Sequence, residues 1–331
     1  MVIKLMVDKI QWDQFVDQSP YGLLYHKWDF LKLIEKYTNY KLLPYSIYKG
    51  EQLACIFPMF YKKVLGLKFL FSPPPQSGVP YLGYVLSREY DCLKQTAKET
   101  ILNLLAAEIS DEMKKLAPNY FSAFLVPGLM DVRHFKWLNF GVNISYTYKI
   151  DLNQELKDIW ANFNSNCRQN IRKGEDLKCK VKISEDTSVL TDLLKDRYNE
   201  QGMNYLINPD YLKELINTYP DNLGLYCLYD NNKIIGGTLN HKYKWYLGWI
   251  GLVKAKDKKY KYVNEYMIWK FIEEAKELGF SKFEISGANK QKLCQYRSKF
   301  NPKLETCLEL YKNDIIGKAA EGIYLNFFKK I

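Results

Sequence analysis

Histidine is almost missing from this chain: its 331 residues hold only His26, His134 and His241. They lie far apart, without the i, i+4 or Cys/His spacing of a metal centre, so no metal site is expected. Cysteine is sparse too. Cys55, Cys92, Cys167, Cys179, Cys227, Cys294 and Cys307 are scattered, odd in number and free of any C-x-x-C pair, which excludes a disulfide framework and reads as reduced thiols in a cytoplasmic protein. The glycine motifs of nucleotide and hydrolase chemistry are absent. Without G-x-x-x-x-G-K-[ST], G-x-G-x-x-G after a strand, or G-x-S-x-G, the kinase, Rossmann and hydrolase readings have no entry point. The N-terminal MVIKLMVDKIQWDQF is interrupted by charges where a signal peptide is apolar, and no window reaches the roughly 18 apolar residues of a membrane span.

What is present is a globular composition, 47% hydrophobic and 26% charged, which excludes disordered, collagen-like and coiled-coil classes. At roughly 150 residues per domain, the length favours two domains. Lysine and arginine exceed the acids by 48 to 37, a net +11, so nucleic acid, an anionic surface or a phosphorylated ligand is expected among the partners. Aromatic residues make up 15% of the chain, and 27 of them are tyrosine.

Two stretches share one grammar. Residues 45–71 read as strand, tight Lys49-Gly50 turn, strand, break at Lys62-Lys63 and strand; residues 225–253 repeat this with a turn at Asp230-Asn231-Asn232. Each antiparallel meander runs into a loop, SPPPQSGVPYLG or KAKDKKYKY, and then a long helix. The first helix is expected behind Ser87 as N-cap to about Leu116, the second from about Asn264 to Leu278 with Gly279 as its stop. A short apolar strand follows each, FSAFLV and KFEISG. With Tyr48 placed on Tyr229 the two series run in step, which points to two copies of one αβ unit divided near residues 146–152. Ile159, Phe163, Cys167 and Ile171 form a one-sided apolar helical stripe within residues 153–173. Asn208-Pro209 reads as a cap followed by proline at the first helical position, opening a helix that stops before Pro220.

Meander, unusual loop, helix, fifth strand and final helix plus strand is the order of elements in the N-acetyltransferase (GNAT) superfamily. Two such units in tandem resemble the FemABX group, which transfers aminoacyl groups to peptidoglycan precursors. Three matches carry the resemblance: FNSNCRQNIRKGE, on Asn166, Arg168, Ile171, Arg172 and Lys173; ISGANKQKLCQYRSKFNP, with Asn289 seven residues before Tyr296 and then Lys299-Phe300; and FKWLNFGVNISYTYKIDL. The implied fold is α+β, two tandem GNAT-like (acyl-CoA N-acyltransferase) units, each a mixed, mostly antiparallel sheet flanked by helices. Residues 1–148 would be a structural or acceptor-binding unit and residues 149–331 the donor-binding, catalytic one. Phe135 stands in the first unit where Tyr296 stands in the second.

One departure bears on the donor. Acetyl-CoA users in the superfamily carry a glycine-bearing loop after strand four that cradles the pyrophosphate at a helix N-terminus. Here the stretch is KAKDKKYKYVNE, without glycine. Either Lys254, Lys256, Lys258, Lys259 and Lys261 hold phosphates as point charges, or the donor is not CoA. FemABX enzymes, which use aminoacyl-tRNA, also lack the loop. The donor substrate is thus acyl-CoA or aminoacyl-tRNA, with no tightly bound cofactor.

The resemblance places donor binding on strand four, Tyr246 to Val253, where Gly248 and Gly251, flanking Trp249, would permit close approach or simply make a bulge. Tyr296 stands where the superfamily often places the acid that protonates the leaving group, with Arg297 beside it and Lys299 placed to stabilise negative charge at the carbonyl. Arg168 and Arg172, one helical turn apart near Asn166, suit a phosphate or carboxylate unless Arg172 merely pairs with Asp176. Tyr198 is a further candidate for lining the cleft. The tail puts Ile316, Ile323, Phe327 and Ile331 near one helical face, for packing or for peripheral membrane contact. The reading is transfer of an aminoacyl or acyl group to an amine, on a cell-wall or lipid-linked precursor. Its rivals are acetyl-CoA-dependent acetylation of a sugar or small amine, and a non-catalytic GNAT fold that binds RNA. A phosphate-bearing donor explains the charge better than a long polyanion such as DNA.

Overall fold

The computed structural model describes residues 2–184, 186–200, 207–254 and 257–318. The chain divides into two compact units, Met1–Ser145 with Thr306–Ile331, and Tyr146–Glu305. Among the described residues no helix is long and apolar enough to cross a membrane.

In the first unit β1 (Val2–Leu5), α1 (Lys9–Gln18) and α2 (Trp28–Thr38) precede the meander β2 (Lys41–Lys49), β3 (Gln52–Val64) and β4 (Leu67–Ser72). A short β5 (Val85–Leu86) pairs with β3; then come α3 (Gln95–Leu116), β6 (Tyr120–Phe124) and α4 (Arg133–Trp137). Strands β1 to β4 are antiparallel in chain order, and β4 runs parallel to β6.

In the second unit the closing part of β7 (Gly141–Asp151) is followed by α5 (Leu156–Asn162), α6 (Ser165–Asp176), β8 (Lys180–Ile183), α7 (Thr187–Asn199) and α8 (Pro209–Thr218). The second meander is β9 (Leu223–Asp230), β10 (Lys233–Lys242) and β11 (Tyr246–Lys254). After it come α9 (Val263–Glu277), β12 (Lys282–Glu284), α10 (Gln291–Arg297) and β13 (Lys303–Asn313). Strands β8 to β11 are antiparallel, and β11 runs parallel to β12. The strands of the two units therefore share one order, as the repeat implies. Tyr48 and Tyr229 each stand next to last on the second strand.

The sixth strand corrects the expected division. The strand after α10 completes the first sheet, Glu309 to Asn313 lying antiparallel to Phe124 to Tyr120, while Lys149–Asp151 of β7 complete the second against β12. A fifth strand needs a partner for its outer edge, and Cys307, Leu308 and Leu310 are buried in meeting that need. The second unit thus ends at Glu305 rather than 331.

Local expectations are met or moved for physical reasons. Gly279 takes φ +78° behind α9, and the Asn208 side chain accepts from Asp210 N at 2.8 Å to start α8. The strand break falls at Leu65-Gly66, not Lys62-Lys63, because only there do two successive residues take positive φ. Ser87 does not cap α3; a 3₁₀ turn at Tyr90–Cys92 intervenes, and Lys94 precedes the helix. The stripe Ile159, Phe163, Cys167 and Ile171 is buried as expected but spans two helices. Between them Asn164 accepts from Cys167 N at 2.7 Å and donates its own N–H to Lys299 O at 2.9 Å.

Candidate functional site

Strands β11 and β12 pair only at Tyr246↔Phe283 and Leu247↔Glu284. Beyond that point the backbone after β12 turns to β7, Ile285 N donating to Tyr148 O at 2.9 Å and Ala288 N to Tyr146 O at 3.1 Å. Asn289 fixes the turn by a reciprocal pair of bonds to the backbone of Tyr146, 2.8 and 2.9 Å. From Gly248 onward, the β12-facing edge of β11 has no strand partner among the described residues. Strands four and five of this unit therefore part along the strand on which the resemblance places donor binding. A Cβ at Gly248 would meet open space, so that backbone is approachable. Gly251 answers a different need: at φ +102° it sits at a bulge, where a Cβ would come within 2.7 Å of Gly237 O. Trp249 is half-buried, edge-on to His241.

Helix α10 is drawn to the end of β12 by Arg297, whose Nη1 donates to the carbonyls of Ser286 and Gly287. Burial lowers the guanidinium's pKa, against the opposing charge of Glu284 among others. Arg297, expected at the catalytic centre, is thus a tie on the loop. Gly287 accommodates it: its φ is +48°, and a Cβ there would clash with Nη1. Glu284 itself is buried, accepting from Thr147 Oγ1 at 2.6 Å and Trp245 Nε1 at 2.7 Å.

On the other side of α10, Tyr296 packs edge-on against Phe300, and its buried hydroxyl faces the Glu265 carboxyl without a hydrogen bond of ordinary geometry. Burial, and then the charge of Glu265, push the phenol well above its usual pKa, so it is a neutral proton donor. Lys299 reaches over the Tyr296 ring, 5.4 Å from its centroid, with Nζ 3.8 Å from Glu265 Oε1. Glu265 is only 3% exposed and also accepts from Asn170 Nδ2 at 3.1 Å. The Cys167 thiol beside them is pushed up to about 12 by burial and the Glu265 charge, which removes it as a nucleophile.

Glu265 and Asn170 were not singled out from the sequence. A signal existed: each is a polar residue on the apolar face of its helix, Asn170 between Cys167 and Gly174, Glu265 between Val263 and Ile268. Helices α6 and α9 meet closely there, since a Cβ on Gly174 would lie 2.6 Å from Tyr266 Cβ. Two complementary polar residues on facing apolar stripes imply a buried pair.

The remaining expected residues are dispersed. Arg168 does not form an anion clamp with Arg172: it donates to the carbonyls of Phe163 and Ala161, the latter at 2.9 Å, sealing the end of α5. Arg172 lies 5.8 Å over the exposed side of Trp160, and Asn166 is exposed. Lys259 is held by Asp230 at 2.6 Å, which also accepts from Tyr260, while Lys258 is exposed. Lys256 and the side chain of Lys254 lie outside the described residues, as do Ile323, Phe327 and Ile331. Tyr198 is half-buried near the end of α7. One group in the first unit has the composition of metal ligands, Glu99, Asp131 and His134. Its cation is Arg133, whose Nη2 donates to Glu99 at 2.6 Å and Asp131 at 2.7 Å.

Residues 161–296 match the family model described as Acetyltransferase (GNAT) domain. No curated protein matches the sequence. Similar solved structures include FemX, at TM-score 0.69 and 12% identity over 93% of this chain and 97% of that one. The C-terminal domain of a putative lysylphosphatidylglycerol synthetase from Agrobacterium fabrum gives TM-score 0.58 and 11% identity over 96% of each chain. A tandem GNAT protein from the clavulanic acid biosynthesis pathway gives TM-score 0.54 and 8% identity over 94% of this chain and 98% of that one. At these identities the likeness is one of fold. Residues 161–296 thus match a GNAT domain, and the chain as a whole has a tandem GNAT-like fold that resembles FemX.

Proposed function

We propose that the protein is an acyltransferase that moves an aminoacyl or acyl group to an amine borne by a cell-wall or lipid-linked precursor, with the second unit holding the donor. The observation that carries this reading is that the β12-facing edge of β11 has no strand partner after Leu247 among the described residues, in a unit that also holds a neutral phenol on α10. The donor's carbonyl lies along that edge. The acceptor amine attacks the carbonyl carbon, a C–N bond forms, and the C–O or C–S bond to the leaving group breaks. Tyr296 gives its proton to the departing oxygen or sulfur, and the proton released by the amine as the amide forms returns the phenolate to the phenol. Lys299 offsets negative charge near the phenol.

Aminoacyl-tRNA suits the donor side better than acetyl-CoA. The stretch KAKDKKYKYVNE before and into α9 carries no glycine for a pyrophosphate cradle, and Glu265 places a carboxyl in that helix's first turn, where it competes with a bound anion. One structural neighbour bears the name of an enzyme that makes an aminoacylated phospholipid. Calorimetry of the full chain with acetyl-CoA and with charged tRNA separates the donors, and single-turnover transfer by Tyr296→Phe tests the acid. Binding of acetyl-CoA alone reverses the donor assignment; unchanged transfer by Tyr296→Phe removes Tyr296 from the mechanism.

A further inference from the structure

Local cost with no return in folding marks one end of the first unit. The β3–β4 hairpin closes through the two-residue turn Leu65-Gly66, with Val64 opposite Leu67. Leu65 takes φ +50° there and is 98% exposed. Such turns favour Asn, Asp or Gly, because a bulky side chain in the left-handed region clashes with its own backbone. A leucine at the tip therefore strains the turn and buries nothing. Just below it Lys63 stands directly opposite Lys68, a like-charge pair that also weakens the hairpin.

A second apolar prong is tied to the same place. Asn119 accepts from Lys68 N at 2.8 Å and donates its own N–H to Lys68 O at 2.9 Å, while its Nδ2 donates to Asp314 Oδ2 at 2.8 Å. Asp314 opens the turn that carries Ile315, 88% exposed, and the exposed Ile316. Gly317 permits this approach, since a Cβ there would strike Asn119 O. Lys63, Lys114, Lys115 and Lys318 are exposed on the surrounding segments.

We propose that this end of the first unit is a docking surface for an anionic lipid bilayer, with Leu65 and Ile315–Ile316 entering the headgroup region and the lysines facing the lipid charge. Lys114 and Lys115 pair with Asp111 and Glu112, while Lys63 faces only Lys68 across the hairpin, and aliphatic tips among lysines in excess of acids match that partner. RNA shares the charge but offers aliphatic side chains nothing to stack on, its partners being aromatic. An anionic surface also relieves the Lys63–Lys68 repulsion. The inference stands apart from the transfer chemistry, which lies in the other unit.

The test is flotation of the full chain with phosphatidylcholine vesicles, with and without phosphatidylglycerol, comparing wild type, Leu65→Asn, Ile315→Ser and the double variant. Leu65→Asn should relieve turn strain, so its melting temperature should hold or rise while vesicle binding falls about tenfold, as loss of a partly inserted leucine implies. Binding should require phosphatidylglycerol and weaken with salt. Absence of phosphatidylglycerol-dependent binding, or binding unchanged in the double variant, overturns the proposal. So does competition by an RNA oligonucleotide that the double variant binds as well as wild type while its vesicle binding also persists.

Discussion

The contact between Gly287 and Arg297 makes a sharp test of the site's architecture, because one group fills the space that a side chain on the other would need. Gly287→Ala puts an L residue at φ +48°, which costs about 1 kcal/mol, and its Cβ displaces the guanidinium from two carbonyls. Loss of such hydrogen bonds from a charged donor costs about 2 kcal/mol, giving about 3 in all. Arg297→Ala alone loses the same bonds, about 2 kcal/mol. In the double variant the clash has nothing left to displace, so the expected total is about 3 kcal/mol rather than the sum of about 5. Urea denaturation of the four proteins, with equal slopes, measures this coupling of about 2 kcal/mol. Additivity within about 0.5 kcal/mol refutes the geometry, since that is the scatter of independent sites.

Other outcomes follow from the same structure. Glu265→Ala should lose about 3 kcal/mol by stranding the buried Asn170 amide and removing the partner of Lys299, while Glu265→Gln, which keeps an acceptor, should lose less than half as much by urea denaturation. Gly251→Ala should destabilise by about 2 kcal/mol or more, since its Cβ meets the carbonyl of Gly237 at 2.7 Å and the bulge requires φ +102°; thermal unfolding measures it. Burial holds His26 down to about 4, its Nδ1 accepting from Leu23 N and its Nε2 donating to Leu82 O. Above the ordinary histidine pKa both states are neutral and nothing changes. Between about pH 6 and 4 the unfolded chain takes a proton that the folded one refuses, so His26 should contribute a fall in stability of about 1 kcal/mol per pH unit of acidification; His26→Gln should remove that share and leave the one from buried His241, read by urea titrations.

The repeat was legible because its signals are local: apolar alternation, the turns after Tyr48 and Tyr229, the glycine at 279 and the Asn208-Pro209 start each act within a few residues. The exchange of sixth strands was not, because β13 and β7 look like ordinary apolar strands and nothing within them names a partner. The resemblance singles out Tyr296 and Lys299, and the structure brings the two side chains together. Their third partner, Glu265, comes from a helix some 30 residues earlier, and the sequence shows it only as a misplaced polar residue on an apolar face. Arg168 misled for the opposite reason: an arginine at helical spacing looks free until the turn before its helix offers two carbonyls.

Exchange of the sixth strands also sets an order of events during synthesis. Residues 1–140 carry most of the first unit, yet β6 has an unmet edge until residues 309–313 have been made, some 170 residues later. Meanwhile β7 is finished long before β12 gives it a neighbour. The first unit is split along the chain, whereas Tyr146–Glu305 carries the second in one run. A ribosome translating this chain holds an open strand edge exposed for most of the elongation time, and the strand pairing of both units is completed only near the end.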